Sequence, residues 1–204
     1  MKTIYIYLCS LLQVENAVSN ICEWRCHIMR SKNQERAQRT ITQCLDDGEA
    51  FIVGDWAMKF LPRKYREGQT DWFAKRGISW HISVVYLKGK HDTEIFTCVH
   101  ILEGPFSQDS SVTAAILVDT VASVHGISKV NFWTDNAGCY KSSLTFSILY
   151  QELGSRLHSF NFCEAQAGKG VCDRKASHLK CSIKRYINEG HDVTCATDMK
   201  RVSF

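Results

Sequence analysis

Three aspartates sit where a carboxylate is either costly to keep or well placed to react. Asp55 interrupts the apolar run FIVGDWAM, Asp135 ends VNFWTDN, and Asp173 lies in AGKGVCDR at the head of a basic segment that runs to Tyr186. A charged carboxylate inside an apolar strand is destabilising unless it is paired or holds a cation. Carboxylates gathered from separate elements form the hard oxygen donor set that Mg²⁺ or Mn²⁺ takes. Two such ions about 3.5–4 Å apart activate a water or a 3′-hydroxyl and stabilise the leaving oxygen in phosphodiester chemistry. Each residue alone has a plainer explanation. Asp55 could pair with a lysine or arginine, Asp135-Asn136 is good turn chemistry, and Asp173 suits the dipole of a helix start. Brought together, their repulsion would raise at least one carboxyl pKa and couple cation binding to deprotonation.

The charge around these acids points to a polyanionic partner. The net charge of +4 is mild, but its distribution is not. Lys59, Arg63, Lys64, Arg66, Lys75 and Arg76 outnumber Glu67 and Asp71 after the first acid, and Lys169, Arg174, Lys175, Lys180, Lys184 and Arg185 surround Asp173. Lys180 and Lys184 follow Asp173 by 7 and 11 residues, which on a helix puts all three within about 20° of one face. Lys59, Arg63, Lys64, Lys169, Arg174, Lys180 and Lys184 are therefore the expected phosphate contacts. Trp56, Trp72, Phe73 and Trp80 could stack bases or fill a core. Glu103 and Asp119 are candidates for a fourth acid, with Asp119 read as a solvated helix residue, and Glu164 before the glycine loop is left undecided. His81, His100, His158 and His178 share no spacing and receive no role.

The elements that must position the acids follow from periodicity. Residues 16–46 read as a helix, broken by Asp46-Asp47-Gly48. Residues 50–61 read as a strand with Phe51, Val53, Asp55 and Ala57 on one face. A basic, aromatic loop (62–78) precedes strands at 80–87 and 94–102. A helix (110–125), a strand (129–134), a helix (142–157), a strand (159–163) and a last helix opened by Gly168 or Gly170 and ended near Asn188 complete the order βββαβαβα. That order predicts an α/β mixed five-stranded sheet flanked by helices, with an N-terminal helical extension over 1–48, a core over 49–190 and a tail over 191–204. The 10 cysteines form no CxxC pair, so zinc and disulfide frameworks give way to reduced, packed thiols. Reduced thiols imply an intracellular setting, nuclear or cytoplasmic. The opening MKTIYIYLCSLL lacks a clean cleavage site and is read as a helix or strand rather than a leader.

The element order and the three acid motifs together resemble the ribonuclease H-like fold of retroviral integrases and DDE-type transposases. Asp55 lies in the first strand. Thr134-Asp135-Asn136-Ala137-Gly138 is similar to the integrase TDNG segment, and Gln166 to Arg174 resembles its Q-x-x-G-V-x-E-R segment with Asp173 in place of Glu. The resemblance implies a metal-dependent polynucleotidyl transferase or nuclease core with Asp55, Asp135 and Asp173 as catalytic and metal-binding residues. It implies Mg²⁺ or Mn²⁺ in a two-metal site, nucleic acid (DNA before RNA) as partner, no membrane, and leaves homo-oligomerisation open. The chain departs from the family in its Asp173, in the twenty-odd residues between the first two strands, and in lacking a counterpart of the integrase zinc module and C-terminal DNA-binding domain. A nuclease that only hydrolyses, and a catalytically inactive, transposon-derived module that binds nucleic acid or protein, are the alternatives.

Overall fold

The computed structural model describes residues 2–73, 75–89, 92–104, 106–164 and 170–203, with side chains from residue 12 to residue 202. It divides into two compact units, one ending at Ile41 and the other starting at Thr42. The first is made by helix α1 (Lys2–Gln43), whose last two residues fall in the second unit. This helix starts well before the expected residue 16 because no Gly or Pro occurs ahead of Gly48. Gly48 then turns the chain with φ of 75°. Among the described residues, no helix is long and apolar enough to cross a membrane.

The second unit is built on five strands: β1 (Glu49–Phe60), β2 (Ile78–Lys88), β3 (Thr93–Ile101), β4 (Lys129–Thr134) and β5 (Leu157–Phe162). Their order is β3-β2-β1-β4-β5. β2 pairs antiparallel with both β1 and β3, whereas β4 pairs parallel to both β1 and β5. This is the mixed five-stranded sheet expected from the element order, with Asp55 on its central strand. β1 is central because it is apolar on both faces: Ala50, Phe51 and Ile52 are wholly buried.

The Ile52 face carries the larger core. Ile52, Val85, Val130 and Phe132 pack there against Ala114, Leu117 and Val121 of α3 (Ser110–Ser123), with Tyr140 and Leu149 completing it. Asp109 caps α3, its carboxylate accepting from the Ser111 and Val112 amides at 3.1 and 3.0 Å. The helix expected at 142–157 is α5 (Ser143–Leu153), and a short helix that periodicity did not show, α4 (Gly138–Lys141), precedes it. The extended backbone of Ser142, whose hydroxyl caps α5, separates the two, and Gly154 with φ of 54° ends α5 before a short 3-10 turn. Helix α6 (Val171–Asn188) packs on β1 and β2 across the other face. Its buried Cys172, Ala176, Ile183 and Ile187 recur at helical spacing and define its inner side.

Two segments are more structured than sequence periodicity suggested. The basic loop contains α2 (Gln69–Trp72), and Lys64 and Lys75 pair there with Asp71 and Glu67. Where a tail was expected, α7 (Ala196–Ser203) packs on α6 and β3, and Val193 and Met199 are fully buried. A backbone bridge between Arg63 and Val193, 2.7 and 2.8 Å in its two hydrogen bonds, ties the basic loop to this segment.

Candidate functional site

Strand register brings the first two acids together. β1 and β4 are parallel, and their ladder ends at the pair Gly54–Thr134. Asp55 and Asp135 are the next residue on each strand, so they leave adjacent strands at the same level. Alternation along β1 turns Asp55 towards the face covered by α6. The residues neighbouring it on that face agree: Trp80, paired with Ala57, lies under Lys180 of α6, with the ammonium 5.7 Å from the ring. Asp173 stands in the first turn of α6, exposed, at the helix's positive end.

The electrostatics of Asp55 record this convergence. Its carboxyl pKa rises from the ordinary 3.8 to about 7, first through burial, then through the fields of Asp135 and of Asp173. The Trp56 backbone N–H acts in the opposite sense and is outweighed. Two like charges and a low-dielectric wall thus press on one carboxyl, the arrangement that a cation relieves. The three residues share an electrostatic neighbourhood but not a closed ligand shell. Among the described residues, no group of three His, Cys, Asp or Glu side chains is assembled to hold a metal ion. One oxygen of Asp135 accepts instead from the Ala137 amide at 3.0 Å, the local turn chemistry its sequence suggested. The donor chemistry fits a hard divalent ion, and the expected metal set is present as three separated carboxylates.

A buried polar string backs the acids, and the sequence reading missed it. Tyr140 is fully buried, and its hydroxyl lies 2.8 Å from Nε2 of the fully buried His81. Burial, then Asp55 and Asp135, hold the Tyr140 hydroxyl well above its ordinary pKa. Burial pushes His81 down to about 3, so its ring is neutral. Nδ1 of His81 meets Ser83 Oγ at 3.3 Å, and Ser83 Oγ meets Thr120 Oγ1 at 3.2 Å. The Thr120 hydroxyl also lies 2.8 Å from the Ile116 carbonyl. Thr120 donates to Ser83 Oγ, so the string runs Thr120–Ser83–His81–Tyr140, with both His81 ring nitrogens engaged. His81 has no shared spacing with other histidines, so only its cross-strand place opposite Trp56 could have singled it out.

Other expected site residues scatter more widely. Arg174 and Lys184 are exposed on α6, Arg63 and Lys64 are exposed in the basic loop, and Lys59 lines an open cavity of about 550 Å³ with Arg76 and Glu103. Lys180 is half-buried over Trp80. Lys169 and the segment Gln166-Ala167-Gly168 lie outside the described residues. Trp56 and Trp80 are core residues: the Trp56 indole donates to Thr113 Oγ1 at 3.1 Å and the Trp80 indole to the Met58 carbonyl at 2.9 Å. Trp72 and Phe73 are exposed. Asp119 accepts from His100 Nε2 at 2.8 Å on the surface of α3. The cysteines of the described residues are free thiols; Cys172 is buried, donating to the Val53 carbonyl at 3.3 Å, and burial first, then Asp55 and Asp173, push its pKa up to about 12.

Among solved structures, the chain is similar to the Mos1 transposase paired-end complex with left transposon end, at TM-score 0.42 and 12% identity over 80% of this chain and 54% of that one. It is also similar to the Mos1 strand transfer complex (TM-score 0.44, 11% identity, 86% and 52%) and to the Mos1 mariner paired end complex with Mn (TM-score 0.42, 9% identity, 87% and 58%). The chain spans about half the length of those transposase chains, 52–58%. No curated protein matches it. Residues 34–203, which take in the whole sheet and every helix packed on it, match the family described as Domain of unknown function (DUF8701), and the chain belongs to that family.

Proposed function

We propose that the second unit is a phosphodiester-acting core in which Asp55, Asp135 and Asp173 hold divalent metal, Mg²⁺ or Mn²⁺, beside a nucleic-acid backbone, DNA in the first instance. The single observation that carries this reading is the pressure on Asp55: a half-buried carboxyl on the central strand, raised to about 7 by burial and by the other two acids. Bound there, the metal would supply Lewis-acid stabilisation of the leaving oxygen and a more acidic attacking hydroxyl. The chain's own groups supply the rest. Asp55 holds a proton near neutrality until a cation arrives and then releases it, so loading and deprotonation are one event. The first turn of α6 directs backbone N–H groups and a positive dipole to the same place, which favours phosphate oxygens. Arg174 and Lys184 continue along α6 as backbone contacts, and the exposed Trp72 and Phe73 offer faces for unpaired bases. Contacts of this kind carry no base sequence.

The test is nicking and strand transfer on a labelled duplex in Mn²⁺, with calorimetric metal titration in parallel. Asp55→Asn, Asp135→Asn and Asp173→Asn should each remove most of the activity, because ligands of one metal site act as a unit. Asp173→Glu should keep part of it. Wild-type chain that neither cleaves nor binds metal would defeat the enzyme reading. It would favour a second one, a transposon-derived module that binds nucleic acid or protein without catalysis. The observation on that side is that the carboxylates do not form a ligand shell among the described residues.

A further inference from the structure

Helix α1 carries an apolar seam. Positions 11, 14, 18, 21, 25 and 28 alternate steps of three and four, and they read Leu11, Val14, Val18, Ile21, Arg25, Ile28. Extended back by one more repeat, the same positions are Ile4 and Tyr7. This is a heptad seam with one charge in it. Val14, Val18 and Ile21 are 60%, 55% and 56% exposed, and Trp24 beside them is 63% exposed. A contiguous apolar stripe this open on a 42-residue helix is an interaction surface.

We propose that α1 pairs antiparallel with α1 of a second copy of this chain. A heptad seam is self-complementary, which a two-fold dimer requires of its interface. The charges then choose the direction. A parallel pair would set Arg25 against Arg25 inside the seam. An antiparallel pair in which Val18 faces Ile21 of the second copy sets Arg25 against Val14 instead. Glu15, exposed like Arg25, follows Val14 on the edge of the seam where the second Arg25 emerges. The two-fold axis makes this acid–base contact twice. Size complementarity agrees: in the same register Trp24 of one copy lies over Ala17 of the other, a large residue against a small one on the flank.

The experiment is sedimentation of the full 204-residue chain over a concentration series, with circular dichroism as the check on helix content. The wild type should be a dimer. Val18→Asp with Ile21→Asp should weaken it by at least ~100-fold, since two charges would enter each seam. Glu15→Arg alone and Arg25→Glu alone should each weaken it about tenfold, and the double variant Glu15→Arg/Arg25→Glu should restore wild-type affinity. The single reversals leave the seam apolar, so they report even if the double aspartate variant loses helix. A monomeric wild type at ~100 µM would overturn the proposal. So would a dimer untouched by the seam aspartates, or a double reversal that fails to restore pairing, the result a parallel dimer would give.

Discussion

Replacing Asp55 with asparagine should stabilise the metal-free protein at alkaline pH, and the size and sign of that gain follow from the site's electrostatics. In the folded chain the carboxyl pKa is raised from 3.8 to about 7, so the native state binds this proton more tightly than the unfolded state does. Stability contributed by the protonated carboxyl is intact below about pH 4 and is lost as pH rises towards 7. Ionised, Asp55 costs the fold at most about 4 kcal/mol, at 1.36 kcal/mol per tenfold in proton affinity. Solvent reaches part of the carboxyl and screens it, which brings the expected cost to about 2 kcal/mol. Asp55→Asn has the shape of the protonated acid and escapes that cost. At pH 8 it should raise stability by about 2 kcal/mol, or Tm by ~4–8 °C for a chain of this size. At pH 4.5 most of the gain should vanish. Urea unfolding followed by tryptophan fluorescence at the two pH values is the assay. Millimolar Mn²⁺ at pH 8 should reverse the order, because only the wild type gains the binding free energy. A variant less stable than wild type at pH 8 without metal, or a gain that does not change with pH, would refute the reasoning.

Two further outcomes are expected. Lys184→Ala should lower the log–log salt slope of nucleic-acid binding by about one, measured by anisotropy, whereas Lys180→Ala should lower it less because its ammonium sits over Trp80. Gly54→Ala should destabilise by about 1–3 kcal/mol in denaturant titration, because a Cβ there would meet His81 Cε1 at 3.2 Å and Leu117 Cδ2 at 3.3 Å, both in a packed core.

The acid motifs were legible because each sits in a local pattern. An aspartate within FIVGDWAM contradicts its neighbours, and TDN and GVCD mark a strand end and a helix start. The sheet was legible for a similar reason: runs of β-branched and aromatic residues alternate with helical spacing in an order that few topologies satisfy. The boundaries that moved were those set by one residue's backbone. Gly154 ends the helix that periodicity carried to 157, and α4 and α7 were passed over because four and eight residues give little periodicity to count.

Tyr140, His81, Ser83 and Thr120 were not legible at all. His81 and Ser83 share one face of β2, but Thr120 lies 37 residues from Ser83 and Tyr140 59 from His81, and no spacing rule links either to that strand. Only the β1–β2 register and the packing of α3 and α4 against it bring their polar atoms within hydrogen-bond distance. The same holds for the central property of the site. The types and order of Asp55, Asp135 and Asp173 were determined by the sequence alone, as was the charge of the helix that follows. That Asp55 and Asp135 leave neighbouring strands at one level was decided by the parallel β1–β4 ladder. Register is a long-range choice, made by which faces can be buried together, and electrostatic coupling between carboxyls exists only once that choice is made.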